Sequence, residues 1–235
     1  MKKLIKYILN LFPYEISEKI KHFIKLIIDK KYRWSRNTYW MFGQENRKRV
    51  FLSAARFMNI NRPIKGYYFE FGCNEANTFR MAYNTFKYLF NLKYVAFDSF
   101  EGLPEVEGID KMEVFHKGKL KFDKNKFVDL VKKEGIKEDE LIIVKGFYEE
   151  SLNKKLIDQL SPTKAAVIYI DCDLYTSTVS VLDFIKHFLQ PGTIIIFDDW
   201  KNIHLPNILP TEIKKSIHYD VKVRPFEYLK GMLYM

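Results

Sequence analysis

The chain has 235 residues, 47% hydrophobic, 16% aromatic and 29% charged, a length and balance that fit one globular domain with a sizeable core and exclude disordered, collagen-like and coiled-coil chains. Lys and Arg number 39 against 29 Asp and Glu, a net +10, but the excess is local: residues 1–65 hold 16 basic and 4 acidic side chains, and the other 170 residues carry −2. A polyanionic partner would therefore meet the N-terminal quarter first. Cys73 and Cys172 have neither disulfide-framework nor metal-finger spacing and read as buried, reduced thiols of a cytoplasmic protein. No stretch of about 18 apolar residues is free of charge, so no membrane-spanning helix is expected. Lys6 interrupts the apolar start, and no small-residue cleavage site follows it, which argues against a signal peptide.

In chain order, Leu4, Ile5, Ile8, Leu11 and Phe12 share one helical face, and after Pro13 so do Ile16, Ile20, Phe23, Ile24, Ile27 and Ile28, with Lys on the opposite faces. Two readings stand: a helical cap packed on the core, or a basic amphipathic element over residues 1–30 that meets an anionic membrane surface. The apolar stripes equally suit a homo-oligomer contact. Residues 31–62 begin with interleaved rings and cations (Tyr32, Arg33, Trp34, Arg36, Tyr39, Trp40) and turn helical over about 44–58. From Gly66 strands alternate with helices. Strands are expected at 67–71, 94–97, 141–144, 165–170 and 193–197, and helices at 78–90, 124–134 and 176–189, the last stopped by Pro191-Gly192. This grammar predicts an α/β fold: a Rossmann-like, mostly parallel sheet with helices on both faces, residues 63–235, behind a basic helical N-terminal cap, residues 1–62.

Ligands of such sheets bind beyond the carboxyl ends of the strands. Here the strand ends read Glu70-Phe71-Gly72-Cys73-Asn74, Asp98-Ser99, Asp171-Cys172-Asp173 and Asp198-Asp199, and each of them carries acid. Gly72 permits a tight turn and close ligand approach. No G-x-G-x-x-G follows the first strand, so the pyrophosphate-binding mechanism is missing, while Asp98 is placed to accept from a ribose diol. A cofactor with ribose and no phosphate satisfies both, and the sulfonium of S-adenosylmethionine suits acidic surroundings. Asp171, Asp198 and Asp199 lie at the tips of two strands that one crossover helix makes neighbours. Converging carboxylates repel unless a cation sits among them, and Mg²⁺ prefers all-oxygen ligands. Asp173 reads as a cap for the helix that follows.

The segments Glu70-Phe71-Gly72, Asp98-Ser99-Phe100-Glu101-Gly102-Leu103-Pro104, Gly146-Phe147-Tyr148-Glu149-Glu150-Ser151-Leu152, Asp171-Cys172-Asp173-Leu174-Tyr175-Thr176-Ser177-Thr178 and Asp198-Asp199-Trp200 resemble the macrocin O-methyltransferase family over roughly residues 43–200, with a fainter match of a last strand at 228–234. The resemblance implies a class I methyltransferase that uses S-adenosylmethionine and Mg²⁺ to methylate sugar hydroxyls of a glycan, nucleotide sugar or glycosylated natural product. It implies a cofactor site of Glu70, Phe71, Gly72, Asn74, Asp98, Ser99 and Phe147, and a metal site of Asp171, Asp198 and Asp199. Two departures stand out: Ala76 occupies a position where the family has another Gly, and residues 201–220 do not follow its usual continuation.

A sugar hydroxyl is a poor nucleophile at neutral pH, so catalysis must lower its pKa or take its proton. Asp171 is the expected base, with His116, on a lid segment over 102–122, as the alternative. Rival functions are a small-phenol methyltransferase, an RNA methyltransferase suggested by the basic N-terminus, and a non-enzymatic membrane-surface scaffold. Confinement of the charge to one end argues against specific nucleic-acid recognition.

Overall fold

Five parallel strands are the centre of the fold: β1 (Gly66–Phe71), β2 (Leu92–Asp98), β3 (Leu141–Lys145), β4 (Ala165–Ile170) and β5 (Ile194–Phe197), in the order β3-β2-β1-β4-β5. This is seen in a computed structural model that describes residues 14–30, 34, 38, 40–60, 65–112 and 115–198. The strand order reverses between β1 and β4, which opens the switch point where ligands of doubly wound sheets sit. β1 and β4 are buried along nearly their whole length on both faces, which is why β4 reads as a continuous apolar run and β1 as an aromatic strand broken only by Glu70.

The helices divide between the two faces. One face carries α2 (Met41–Ile60) through Val50, Phe51, Ala54 and Met58, α3 (Asn77–Phe86) and α4 (Lys124–Lys133), packed on Tyr68, Tyr94 and Tyr169. The other carries α6 (Lys154–Leu160) and α7 (Tyr175–Ile185), with a 3₁₀ turn at Lys186–Phe188, packed on Phe69, Phe71, Phe97 and Ile168. The aromatic content is concentrated here: Phe71 and Phe97 stack at 4.2 Å, and Phe69 meets Phe97 and Phe188 edge-on at 5.2 Å. Such pairs add specific geometry to burial.

Helix α1 (Tyr14–Ile28) forms where the apolar periodicity places it, with Ile16, Phe23 and Ile27 exposed and Ser17 buried. The chain divides into two compact units between Arg49 and Val50, inside α2, so the core of the second unit begins before the expected boundary at 62/63. The expected helix over 1–12 and the strand at 228–234 lie outside the described residues. Within the second unit the strands fall where expected, give or take two residues. The helix expected over 78–90 ends at Phe86, and the one expected over 176–189 gives way to the 3₁₀ turn after Ile185. Two short helices, α5 (Tyr148–Ser151) and α6, have too few turns to leave a periodic signal.

At the end of α4, Glu134 accepts from Arg80 Nε at 2.8 Å and from Asn84 Nδ2 at 2.7 Å, tying α4 to α3. The bond from Asn84, then that from Arg80, lower its pKa below the ordinary 4.5. The contribution is therefore complete above pH 4.5 and fades as pH falls through the lowered folded value. Both partners are partly solvated, so Glu134→Gln is expected to cost no more than about 1 kcal/mol at pH 7. Urea unfolding of both proteins at pH 7 and pH 3 checks this: the gap between them should close at the lower pH.

Candidate active site

The parallel ladder runs one residue past β1, β3, β4 and β5. Gly72 N donates to Phe97 O at 3.0 Å, Asp171 N to Phe71 O at 2.9 Å, Asp198 N to Ile170 O at 3.0 Å and Gly146 N to Asp98 O at 3.1 Å. The loops after β1, β2, β3 and β4 form the rim of one cleft of about 250 Å³. Gly72, Asn74, Asp98, Ser99 and Phe147 line it, as does Asp171. Four carboxylates, Asp98, Glu149, Asp171 and Asp173, face this cleft, and no Lys or Arg does among the described residues that line it.

Asp98 Oδ2 accepts from Cys73 N at 2.8 Å and Asn74 N at 3.0 Å, and Oδ1 from Phe100 N at 2.7 Å. The carboxylate thus orients the loop after β1 while Oδ1 keeps acceptor capacity for a ligand hydroxyl. Ser99 organises the next turn: its Oγ donates to Gly102 O at 2.8 Å and accepts from Glu101 N at 3.1 Å. Gly72 adopts φ +85°, and a Cβ there would stand 1.9 Å from Asp171 O. Glycine is required because two strand-tip backbones touch, a reason distinct from the expected approach of a ligand.

Several expected residues sit elsewhere. Glu70 and Phe71 are fully buried and do not line the cleft. Glu70 lies under the floor, where it accepts from the Tyr68 hydroxyl, and Phe71 stacks on Phe97. His116 is exposed and lies outside the cleft wall, its Nδ1 3.3 Å from the carbonyl of Lys117. Asp198 stands at the tip of β5, beside the tip of β4 that bears Asp171, since Ile170 pairs with Phe197. Asp199 lies outside the described residues. Among the described residues no three His, Cys, Asp or Glu side chains are grouped to hold a metal ion.

Asp173 does not cap α7. Its backbone is left-handed at φ +61°, and α7 starts after Leu174 without a side-chain cap of its own. The cap comes from Asp110, on a 3₁₀ turn (Gly108–Asp110) more than sixty residues upstream. Its carboxylate accepts from Tyr175 N at 2.6 Å, Thr176 N at 3.0 Å and Thr176 Oγ1 at 2.6 Å. Asp110 is 7% exposed. It anchors the strap between Gly102 and Leu120, whose ends meet through Leu103 N to Lys119 O at 2.8 Å and Gly118 N to Leu103 O at 2.9 Å. Leu103, Pro104 and Leu120 of this strap line the cleft.

In the cleft lining, desolvation pushes up the pKa of the half-buried Tyr148, and neighbouring Cys172 and Asp98 push it further the same way. Its neutral hydroxyl donates to Phe97 O at 3.4 Å. Burial, then Glu70 and Asp98, likewise raise that of Cys73, so this thiol stays protonated.

A doubly wound sheet whose strand tips hold a glycine turn, a backbone-anchored Asp at the end of β2 and an acid-lined cleft with no Lys or Arg among its described lining residues is a Rossmann-like ligand-binding arrangement. The model of the macrocin O-methyltransferase family, described as Macrocin-O-methyltransferase (TylF), matches residues 32–215, and the chain belongs to that family. Among curated proteins, the 8-demethyl-8-(2,3-dimethoxy-alpha-L-rhamnosyl)-tetracenomycin-C 4'-O-methyltransferase of Streptomyces olivaceus is 32% identical over 111 residues. That match covers 44% of this chain and spans only 40% of the relative's length. Two solved structures share the fold. The calicheamicin methyltransferase CalS11 has a TM-score of 0.58 at 21% identity, over 89% of this chain and 85% of its own. The O-methyltransferase NovP has a TM-score of 0.52 at 20% identity, over 74% and 72%.

Proposed function

We propose that the protein transfers a methyl group from S-adenosylmethionine to a sugar hydroxyl of a glycosylated small molecule or glycan. The observation that carries this reading is the charge of the cleft: four carboxylates and no basic side chain among its described lining residues, a setting that favours a cationic cofactor over a phosphorylated one. Family membership and the name of the curated relative, a methyltransferase acting on a rhamnosyl group, support the acceptor class. When bound, the cofactor supplies an electrophilic methyl group, and Mg²⁺ supplies a positive charge that acidifies a nearby hydroxyl.

The chain's own residues do the rest. Asp98, held by three backbone N–H groups, accepts from the ribose with its remaining capacity, and Phe147, ahead of α5, flanks the nucleoside. Asp171, in the cleft wall, takes the proton from the acceptor hydroxyl; His116, outside that wall, is the weaker candidate. Asp171, Asp198 and Asp199 would hold Mg²⁺. Alignment of the two reactants in one cleft supplies much of the rate. We place the enzyme in the cytoplasm, with α1 and its exposed Ile16, Phe23 and Ile27 as the element that would touch a lipid surface.

Titration calorimetry with S-adenosylmethionine and S-adenosylhomocysteine, with and without Mg²⁺, tests the reading. Binding should be evident, and Asp98→Ala should weaken it by about 100-fold, the worth of hydrogen bonds to a charged group. Unchanged affinity in Asp98→Ala, or no binding by the folded wild type, would overturn it.

A further inference from the structure

Tyr169 is the fifth residue of β4 and is 1% exposed. Its neighbours in the sheet are Glu70 on β1 and Ile196 on β5, and its ring packs against Phe51 of α2 with centroids 5.4 Å apart. A residue in this setting is ordinarily Phe, because a buried hydroxyl must find a partner. The Tyr169 hydroxyl donates to Asp198 Oδ1 at the tip of β5. The same residue is gripped through its backbone, where Asp198 N donates to Ile170 O at 3.0 Å. One strand thus holds both the main chain and the carboxylate of the half-buried Asp198.

We propose that Tyr169 is a positioning residue: the contact of its hydroxyl with Asp198 fixes the orientation of that carboxylate beside the tip bearing Asp171. This deepens the reading given above, since it rests on these acids serving the acceptor end of the site. A carboxylate at a strand tip can turn about two side-chain bonds, and each wrong orientation removes a ligand or an acceptor from the reacting geometry. A buried phenol clamped by Phe51 is a stiff support for it. Loss of such an outer partner commonly costs 10- to 100-fold in metal affinity or turnover.

The test is a cycle of Tyr169→Phe, Asp198→Asn and the double variant, all in the full chain. Tyr169→Phe keeps the ring and its packing, so the melting temperature and the affinity for S-adenosylhomocysteine should stay near wild type, the latter within twofold. Turnover of a rhamnoside acceptor should fall about tenfold, and Mn²⁺ affinity, read by electron paramagnetic resonance with no substrate present, should fall by a similar factor. In the Asp198→Asn background the same change should cost less than twofold on both readouts, because a residue that acts through Asp198 has nothing left to position. Full additivity, or a Tyr169→Phe protein indistinguishable from wild type, would overturn the inference and leave the proposed function standing. A wild type that binds S-adenosylhomocysteine yet neither methylates sugars nor binds Mn²⁺ would overturn both.

Discussion

Gly72→Ala is expected to lower the melting temperature by about 6–20 °C and to abolish cofactor binding. The added carbon would stand 1.9 Å from Asp171 O and 2.8 Å from its carbonyl carbon, far inside van der Waals contact. Both are backbone atoms of the loop after β4, so no side-chain rotation relieves the clash. The φ of +85° adds strain for any residue with a Cβ. Left-handed strain and overpacking each cost about 1–3 kcal/mol, so a total of about 3–5 kcal/mol is reasonable, at 2–4 °C per kcal/mol for a chain of this size. Relief would come from parting the tips of β1 and β4, which widens the cleft at its floor and tilts Asp171. Gly43→Ala in α2, where an added Cβ meets nothing within 4 Å, is the control and should be neutral or slightly stabilising. Differential scanning fluorimetry with and without S-adenosylhomocysteine decides the matter; a Gly72→Ala protein that melts within 2 °C of wild type and still gains stability from the ligand refutes it.

The second large effect belongs to Asp110. Asp110→Ala removes three hydrogen bonds to one buried carboxylate and leaves the N–H groups of Tyr175 and Thr176 without their cap. Hydrogen bonds to charged groups contribute about 1.5–3 kcal/mol, and a negative charge at a helix N-terminus adds a few tenths more, so a loss of about 2–4 kcal/mol is expected. Asp110→Asn, which keeps one acceptor oxygen, should fall between. The loss should be local as well as global. Amide exchange at Tyr175 and Thr176 should quicken, and the acceptor KM should rise, because the strap that brings Leu103 and Pro104 to the cleft loses its anchor. Unchanged exchange at these two amides would show that the strap is held by its meeting ends alone.

The contrast between these two residues explains what could be read from the chain before its structure. Gly72 was legible because its signal is local: a glycine straight after an apolar strand has few other reasons to be there. The strands were legible for the same reason, since Ala165–Ile170 is an apolar run with no helical period and the residues before Gly72 are a short aromatic stretch. Asp98, Ser99, Asn74 and Asp171 follow from reading the residues at strand ends, Phe147 came only with the family resemblance, and all five line the cleft. Glu70 and Phe71 did not, because strand alternation turns their side chains into the two faces of the sheet. Asp110 gave no signal at all. It lies in a polar loop 65 residues before the helix it caps, and nothing in its neighbourhood distinguishes it from the acids around it. Asp173 drew the cap assignment by proximity, yet its left-handed backbone belongs to the turn that precedes the helix.

Strand β1 begins and ends on glycine-type contacts of the same kind. A Cβ at Gly66 would lie 1.8 Å from Lys164 O, just before β4, as one at Gly72 would lie 1.9 Å from Asp171 O, just after it. The two central strands are therefore keyed to each other at both ends by missing carbons. Tyr, Phe, Ile and Val between those ends would fit a sheet in many registers, and their apolar character cannot say which. A slip of one residue would bring a side chain, from Lys65 or Tyr67 at one end and from Phe71 or Cys73 at the other, against a carbonyl that has no room for it. The address of this strand pair is thus written in steric exclusion at its two termini. The interior is free to drift among apolar residues during evolution, while a single added methyl at position 66 or 72 erases the address.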